Sequence, residues 1–311
     1  MTETHPPAPS RKREGEKRAG FVAVIGAPNA GKSTLVNALV GQKVAIVSPK
    51  AQTTRARLMG IAIESGTQIL LVDTPGIFEP RRRLDRAMVA AAWTGAQDAD
   101  LILFVIDSAA SVNAEAERII AALSERKQPL FLALNKVDLI KKGELLALAT
   151  DLSAKLNPDK VFMISAAQGD GVPDLKHALT AAMPEGPWLY PEDEVSDATD
   201  RMIAAELTRE QIVNQLHQEL PYATAIETET WEDRSDGSTV IRQQIIVERD
   251  SQKAIVIGKA GRRLKAIGAA AREEIAAHLA RPVHLFLHVK VEPKWGEDRS
   301  LYREIGLEWT E

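Results

Sequence analysis

Apolar positions come in short, dense runs along the first 180 or so residues, separated by polar turns that carry glycine or proline. Runs of four to six residues at 21–25, 59–63, 69–72, 101–106, 130–134 and 161–164 predict strands. Near-continuous apolar character suits strands covered on both faces. Between them, 35–40, 87–93, 114–123 and 144–156 space their apolar residues as helices do. The alternation predicts an α/β, doubly wound, mostly parallel sheet. Pro184, Gly186, Pro187 and Pro191 then mark a linker. Beyond it the pattern predicts a helix at 201–220, strands at 223–232 and 239–248, a helix at 264–279 and a strand at 283–291. Ile255-Val256-Ile257 reads as an apolar strand running into Gly258-Lys259-Ala260-Gly261. The expected organisation is a basic, disordered tail (1–19), a first domain (20–185), a linker (186–200), a second α+β domain (201–300) and a C-terminal tail (301–311).

Length agrees with this division, since 311 residues suggest about two domains and allow two cores without staples. With 45% apolar and 26% charged residues, the chain is neither fibrous nor globally disordered. It has no cysteine, which excludes disulfides, thiolate metal sites and a cysteine nucleophile. The six histidines show no metal spacing, and His284 and His288 read as strand-face residues. The run 101–106 is far below the roughly 18 residues of a spanning helix. The first twenty residues hold Arg11, Lys12, Arg13, Lys17 and Arg18 without an apolar stretch, so they are no signal peptide. Net charge is −4, but its distribution is uneven: residues 185–250 carry net −11 and residues 251–294 net +6. A basic face on the second domain is therefore expected.

The strongest chemistry lies in Gly26-Ala27-Pro28-Asn29-Ala30-Gly31-Lys32-Ser33, followed by Thr34, between a strand and a helix. This is a phosphate-binding loop in the context that the motif requires. Gly26 and Gly31 let backbone N–H groups curl around phosphate, and the helix adds its positive end. Lys32 supplies charge to the β and γ phosphates, and Ser33 a hydroxyl for Mg²⁺. Asp73-Thr74-Pro75-Gly76 follows the strand at 69–72. Asp73 is placed to hold Mg²⁺ through water, and the Gly76 N–H to meet the γ-phosphate. Asn135-Lys136-Val137-Asp138 names the base: Asp138 can accept both guanine donors, and adenine would leave its charge unpaired. Asn135 can brace the neighbouring loop, and the Lys136 stem can lie along the ring. Ser165-Ala166 closes the set, with the Ala166 N–H facing guanine O6; alone, that pair would read as a plain loop.

These motifs resemble those of translation-factor-class GTPases over residues 20–185. Ser48-Pro49-Lys50-Ala51-Gln52-Thr53-Thr54-Arg55 is similar to the first switch of the Era family. The resemblance makes Thr54 the threonine that closes on Mg²⁺, with Thr53 its competitor. Lys32, Thr54, Gly76 and Asn29 are the expected catalytic set. Ile77 stands where Ras-like enzymes carry a water-orienting glutamine, and its side chain cannot hydrogen-bond. In related GTPases an asparagine at the place of Asn29 helps a K⁺ ion replace an arginine finger. Here Asn29 either ligates K⁺ or only shapes the loop. Ala27 and Ala30 stand where the family carries arginine and valine, which leaves backbone phosphate binding intact.

In the second domain, the glycine loop opens a helix whose start carries three cations. That layout resembles a KH module, in which single-stranded RNA approaches the glycine backbone closely. Lys259, Arg262, Arg263 and Lys265 would meet phosphates. Ile257, Leu264 and Ile267 are candidate groove walls, and Gly258, Ala260 and Gly261 the close-approach backbone. Lys290 and Lys294 would extend the surface, and Trp295 would either stack on a base or cap the surface. The α–β–β–α–β order is similar to a type II KH domain. A P-loop GTPase domain followed by a type II KH domain resembles the Era family over residues 20–300. The resemblance implies a GTP/GDP switch with Mg²⁺ that binds the 3′ end of 16S rRNA and acts in assembly of the 30S subunit. It also implies a cytoplasmic protein with peripheral contact to the inner membrane; a monomer is expected because no coiled-coil heptads or large exposed apolar helix stand out. The competing reading is a constitutive RNA binder with a structural GDP clamp, which Ile77 favours and the joint presence of Lys32, Ser33, Thr54 and Asp73 opposes. Other GTPases of this group would need a second phosphate loop, a C-terminal cysteine motif or membrane spans, none of which is present.

Overall fold

The computed structural model describes residues 17–48, 50, 54, 58–80, 83–110, 112–216, 220–299, 307 and 309. The first unit is built on a six-stranded sheet. Its strands are β1 (Arg18–Ile25), β2 (Leu58–Glu64), β3 (Thr67–Asp73), β4 (Leu101–Asp107), β5 (Leu130–Asn135) and β6 (Lys160–Met163), in the order β2-β3-β1-β4-β5-β6. Only β2 runs antiparallel, paired to β3 through a tight turn at Ser65-Gly66. Helices α1 (Lys32–Val40), α2 (Arg83–Gln97), α3 (Ala114–Ser124), α4 (Lys142–Leu156) and α5 (Val172–Ala182) cover the two faces. Alternation within β1 assigns each face its own core. Val22 and Val24 pack with Leu35, Leu39 and Leu175 on one side. Ala23 and Ile25 pack with Ile119, Phe104 and Leu152 on the other. Each large side chain buried this way contributes about 1.5–3 kcal/mol. The sheet order reverses between β3, β1 and β4, so the loop after β1 opens at the switch point where such sheets take ligands.

Two expectations need correction here. The first strand starts at Arg18 instead of residue 21, because Ala19 N donates to Pro184 O at 3.2 Å and ties the two ends of the unit together. The rest of the expected tail, 1–16, lies outside the described residues. Helix α5 was not anticipated; Gly171 in the left-handed region and Pro173 in the first turn mark its start. The linker runs along the outer edge of β2, where Ile61 N donates to Val195 O at 2.8 Å, and reaches β3, where the Gln68 side chain bonds Leu189 and Tyr190.

The second unit follows as α6 (Asp200–Gln215), β7 (Thr224–Asp233), β8 (Thr239–Val247), α7 (Asp250–Ile257), α8 (Arg262–Leu279) and β9 (Val283–Val291). The strand order is β7-β8-β9, with β7 antiparallel and β9 parallel to the central strand. Ile255-Val256-Ile257 ends a helix, not a strand. Gln252 sets that helix by accepting from the backbone N–H of Glu248 and Arg249; of the three, Val256 is fully buried, Ile257 partly covered and Ile255 exposed. The glycine loop therefore joins two helices.

Among the described residues, the apolar contacts between the two units lie in two places. Ile46, from the loop after α1, is buried with Ile203, Leu207, Ile241 and Ile275. Phe78, Leu84 and Met88 pack against Ala225, Ile246, Trp295 and Leu307. The expected C-terminal tail is thus docked on α2 at Leu307, and Trp309 lies between Arg83 and Arg299.

Candidate functional site

The phosphate loop leaves β1 and enters α1 through two left-handed residues, Asn29 (φ 64°) and Gly31 (φ 95°). A Cβ on Gly31 would lie 2.2 Å from Asn135 Nδ2, so glycine is required there for space as well as for backbone angle. Gly26 is closed in by the Val105 carbonyl, and Gly76 by the backbone of Pro28. The Asp73-Thr74-Pro75-Gly76 turn is therefore pressed onto the phosphate loop. Thr74 Oγ1 donates to Val24 O at 2.7 Å, and Ile77 N donates to Gly26 O at 3.2 Å. The Ile77 side chain is buried in the core and does not face the pocket.

Lys32 lies buried at the mouth of α1, and its Nζ donates to Gly26 O and Ala27 O, both at 3.0 Å. Burial lowers its ammonium to about 8, and the Asp73 carboxylate opposes that shift. Burial likewise pushes the Asp73 carboxyl up, against Lys32, Ser33 and Thr54. Ser33 Oγ donates to Asp73 Oδ2 at 2.7 Å and lies 2.9 Å from Thr54 Oγ1, which also reaches Asp73 Oδ2 at 3.3 Å. Asp73 Oδ1 is buried without a hydrogen-bond partner. Two hydroxyls and a carboxylate with one orphaned oxygen form a donor set that a hard divalent cation fits. Of the expected first switch, Ser48, Lys50 and Thr54 are described; Thr53 lies outside the described residues. The pocket is lined by the phosphate loop, Ser33, Thr34, Thr54 and Gly76 on one side and by Ile46, Val47 and Ser48 on the other. Ile46 and Val47 were missed, because only the fold brings the loop after α1 onto the phosphate loop.

Asn135 joins three loops. Its Nδ2 donates to Ala30 O at 2.8 Å, and its Oδ1 accepts from Ala166 N at 2.9 Å. The Ala166 N–H therefore braces Asn135. Lys136, itself left-handed, donates to Asn29 O at 2.8 Å and to Asp107 at 2.6 Å. Asp107, at the end of β4, was another omission; an acidic residue ending a central strand was its only signal. Asp138 is exposed on a short 3₁₀ turn beside Lys136. Ser165 is buried, with its Oγ accepting from Gln168 N at 3.3 Å.

The glycine loop is a separate feature. Gly258 (φ 70°), Ala260 (φ 53°) and Gly261 (φ 73°) all take positive φ, which turns the chain sharply between α7 and α8. A Cβ on Gly258 would meet Arg263 Cβ at 2.7 Å. Lys259, Arg262 and Lys265 are exposed around it. Arg263 Nη1 instead donates to Ile255 O at 2.8 Å and caps α7. Of the candidate groove walls, Ile267 is fully buried in the core, while Ile257 and Leu264 are only partly covered. Lys290 pairs with Glu292 at 2.8 Å, and Lys294 is exposed in a left-handed turn. Trp295 is 5% exposed and donates to Ala223 O, so its ring packs in the core and is not free to stack on a base. No helix among the described residues is long and apolar enough to cross a membrane.

Known proteins resemble the chain along nearly its whole length. A family model described as 50S ribosome-binding GTPase matches residues 21–136, and a KH domain model matches residues 219–296. GTPase Era of Erythrobacter litoralis is 57% identical over 297 residues, covering 94% of this chain and 98% of the relative. GTPase Era of Afipia carboxidovorans is 58% identical, with 94% and 95% covered. A crystal structure of Era in complex with MgGDPNP and nucleotides 1506–1542 of 16S ribosomal RNA superposes with a TM-score of 0.88 at 37% identity, covering 93% of this chain and 99% of that one. A point variant of Aquifex aeolicus Era bound to GDP·AlF4⁻ matches with the same TM-score, identity and coverage.

Proposed function

The chain belongs to the Era family of GTPases, and from that premise we propose that it is a GTP-driven switch that binds the 3′ end of small-subunit rRNA during assembly of the 30S subunit. The observation that carries the reading is the convergence of Ser33, Thr54 and the half-satisfied Asp73 carboxylate at the end of a phosphate loop, in one chain with an exposed, cation-flanked glycine loop. Ser33 and Thr54 would hold Mg²⁺ directly and Asp73 through water; the ion, when bound, neutralises phosphate charge. Lys32 gives up its two carbonyl partners to meet phosphate, and Gly76 offers its N–H. Asn135 and Lys136 hold the loop that presents Asp138 to guanine. Since Ile77 is turned into the core, the attacking water is oriented by backbone groups of the loops, with K⁺ beside Asn29 as the proposed charge neutraliser. The convergence of Lys32, Ser33, Thr54 and Asp73 favours this over a permanent GDP clamp, as does an Era variant crystallised with GDP·AlF4⁻. The same reading has the chain act as a cytoplasmic monomer with peripheral contact to the inner membrane.

In the RNA domain, Lys259, Arg262 and Lys265 would contact phosphates while the Gly258–Gly261 backbone lies against the strand. Lys290 and Lys294 would extend that surface. The test is a titration of labelled single-stranded RNA copying the 16S rRNA 3′ end. Three phosphate contacts give a salt slope of about −2, so affinity should fall roughly 20-fold between 50 and 200 mM salt. Gly258→Asp should abolish binding and leave GDP affinity unchanged. Binding that is indifferent to both salt and Gly258→Asp refutes the assignment.

A further inference from the structure

One wall of the nucleotide pocket is held from the other unit of the molecule. The segment after α1 starts firmly on its own unit: Asn37 Oδ1 accepts from Val44 N and Ala45 N, and Asn37 Nδ2 donates to Ala45 O. Its later partners lie on α6 and α8. Ile46 is buried among their apolar residues. Val47 N donates to Glu210 Oε1 at 2.9 Å. Lys43 Nζ donates to Glu210 Oε2 at 2.6 Å and to Glu274 Oε2 at 2.5 Å. Lys50 Nζ donates to the Val213 and Leu216 carbonyls at the end of α6. The opposite side of this segment, at Ile46, Val47 and Ser48, lines the pocket beside Lys32, Ser33, Gly76 and Thr54.

Glu210 is central to this arrangement. Its side chain is only 5% exposed, and its two oxygens hold different parts of the segment, a lysine ammonium and a backbone N–H of the pocket wall. Both are charge-assisted bonds, roughly twice as strong as neutral ones. The Glu274 side chain is 33% exposed, touches only Lys43 of the segment, and is shared with Gln211. A carboxylate buried on α6 thus fixes the wall of the pocket at Val47. Nothing in the cores requires an acid there, because Ile203, Leu207 and Ile212 already pack α6.

We propose that Glu210 is a positioning residue for the γ-phosphate end of the nucleotide site, acting through Val47 and Lys43 to hold the pocket wall at Ile46, Val47 and Ser48 against Ser33 and Thr54. The inference rests on the GTPase chemistry and not on the RNA reading. Switch segments of this kind gain contacts when a γ-phosphate is present and lose them when it is gone. A ligand can respond to such a holder only through its differential affinity for the held and released segment. Loosening the segment therefore weakens the triphosphate and spares the diphosphate.

The experiment uses the full chain with Mg²⁺ and fluorescence titration of GDP and of a non-hydrolysable GTP analogue. Glu210→Gln keeps an acceptor for Val47 N but loses the charge that holds Lys43; Lys43→Met removes the ammonium from the other side. Each should weaken the analogue about tenfold and GDP less than twofold, within the usual range of coupling between sites. The double variant should cost no more than the worse single one, because both break the same contact. Glu274→Gln leaves both Glu210 bonds in place and should change the preference less than threefold. Equal weakening of both nucleotides would reduce Glu210 to a structural part of the fold and overturn the proposal, as would no change in either. If Glu210→Gln does not fold, Lys43→Met decides alone, since that side chain is 41% exposed and its loss leaves no buried void.

Discussion

Asn135→Ala should loosen three loops at once. In the folded chain the carboxamide is 2% exposed and bonds the Ala30 carbonyl at 2.8 Å and the Ala166 N–H at 2.9 Å. Ala30 and Ala166 are themselves buried, so bulk solvent does not take the lost partner's place. Leaving a buried donor or acceptor unmade costs about 1–3 kcal/mol each, so the two together cost about 2–6 kcal/mol, before any void is counted. For a unit of this size each kcal/mol moves the melting temperature by about 2–4 °C, which gives a fall of roughly 4–24 °C in the nucleotide-free chain. Asn135→Asp separates the two bonds. A carboxylate still accepts from Ala166 N but, as an acceptor only, faces the Ala30 oxygen without a proton between them. It should lose as much stability as the alanine at neutral pH. The assay is thermal unfolding of the three proteins without nucleotide, followed by GDP titration, where affinity should fall in step with stability. A shift below about 2 °C in both variants would mean that the three loops hold their shape without the Asn135 bridge.

Two further outcomes follow from the same geometry. Because burial sets the Lys32 ammonium at about 8 and phosphate favours its charged form, nucleotide binding takes up a proton above that pH. Affinity for GDP should therefore fall about tenfold from pH 7 to pH 9, and a flat profile would contradict the buried position of Lys32. Trp295→Ala should lower the melting temperature through a loss of about 3–5 kcal/mol while RNA affinity of the folded chain holds. An RNA defect with unchanged melting would return the ring to the binding surface.

The parts of the site that were legible are those whose chemistry is local. Gly26 to Ser33, Asp73 to Gly76 and Asn135 to Asp138 each sit on one strand end, so a short pattern fixes both residue types and backbone shape. The strands were legible because burial on both faces leaves an unbroken apolar run. Ile255-Val256-Ile257 failed for the complementary reason: three β-branched residues look the same at the end of a short helix as in a strand. What decides is the Gln252 side chain capping the helix start. Trp295 and Ile267 resemble binding residues in sequence because they neighbour cations, yet the fold turns both inward. The wall at Ile46 and Val47, and Glu210 behind it, had no sequence signal, because their partners lie more than 150 residues away.

If one chain couples a GTPase centre to an RNA loop, steady-state GTP turnover in K⁺ buffer will respond to single-stranded RNA copying the 16S rRNA 3′ end. Turnover should rise with RNA in the natural chain and stay indifferent to RNA in Gly258→Asp, whose nucleotide site is untouched. Turnover that ignores RNA which is demonstrably bound would contradict that coupling and leave two independent modules.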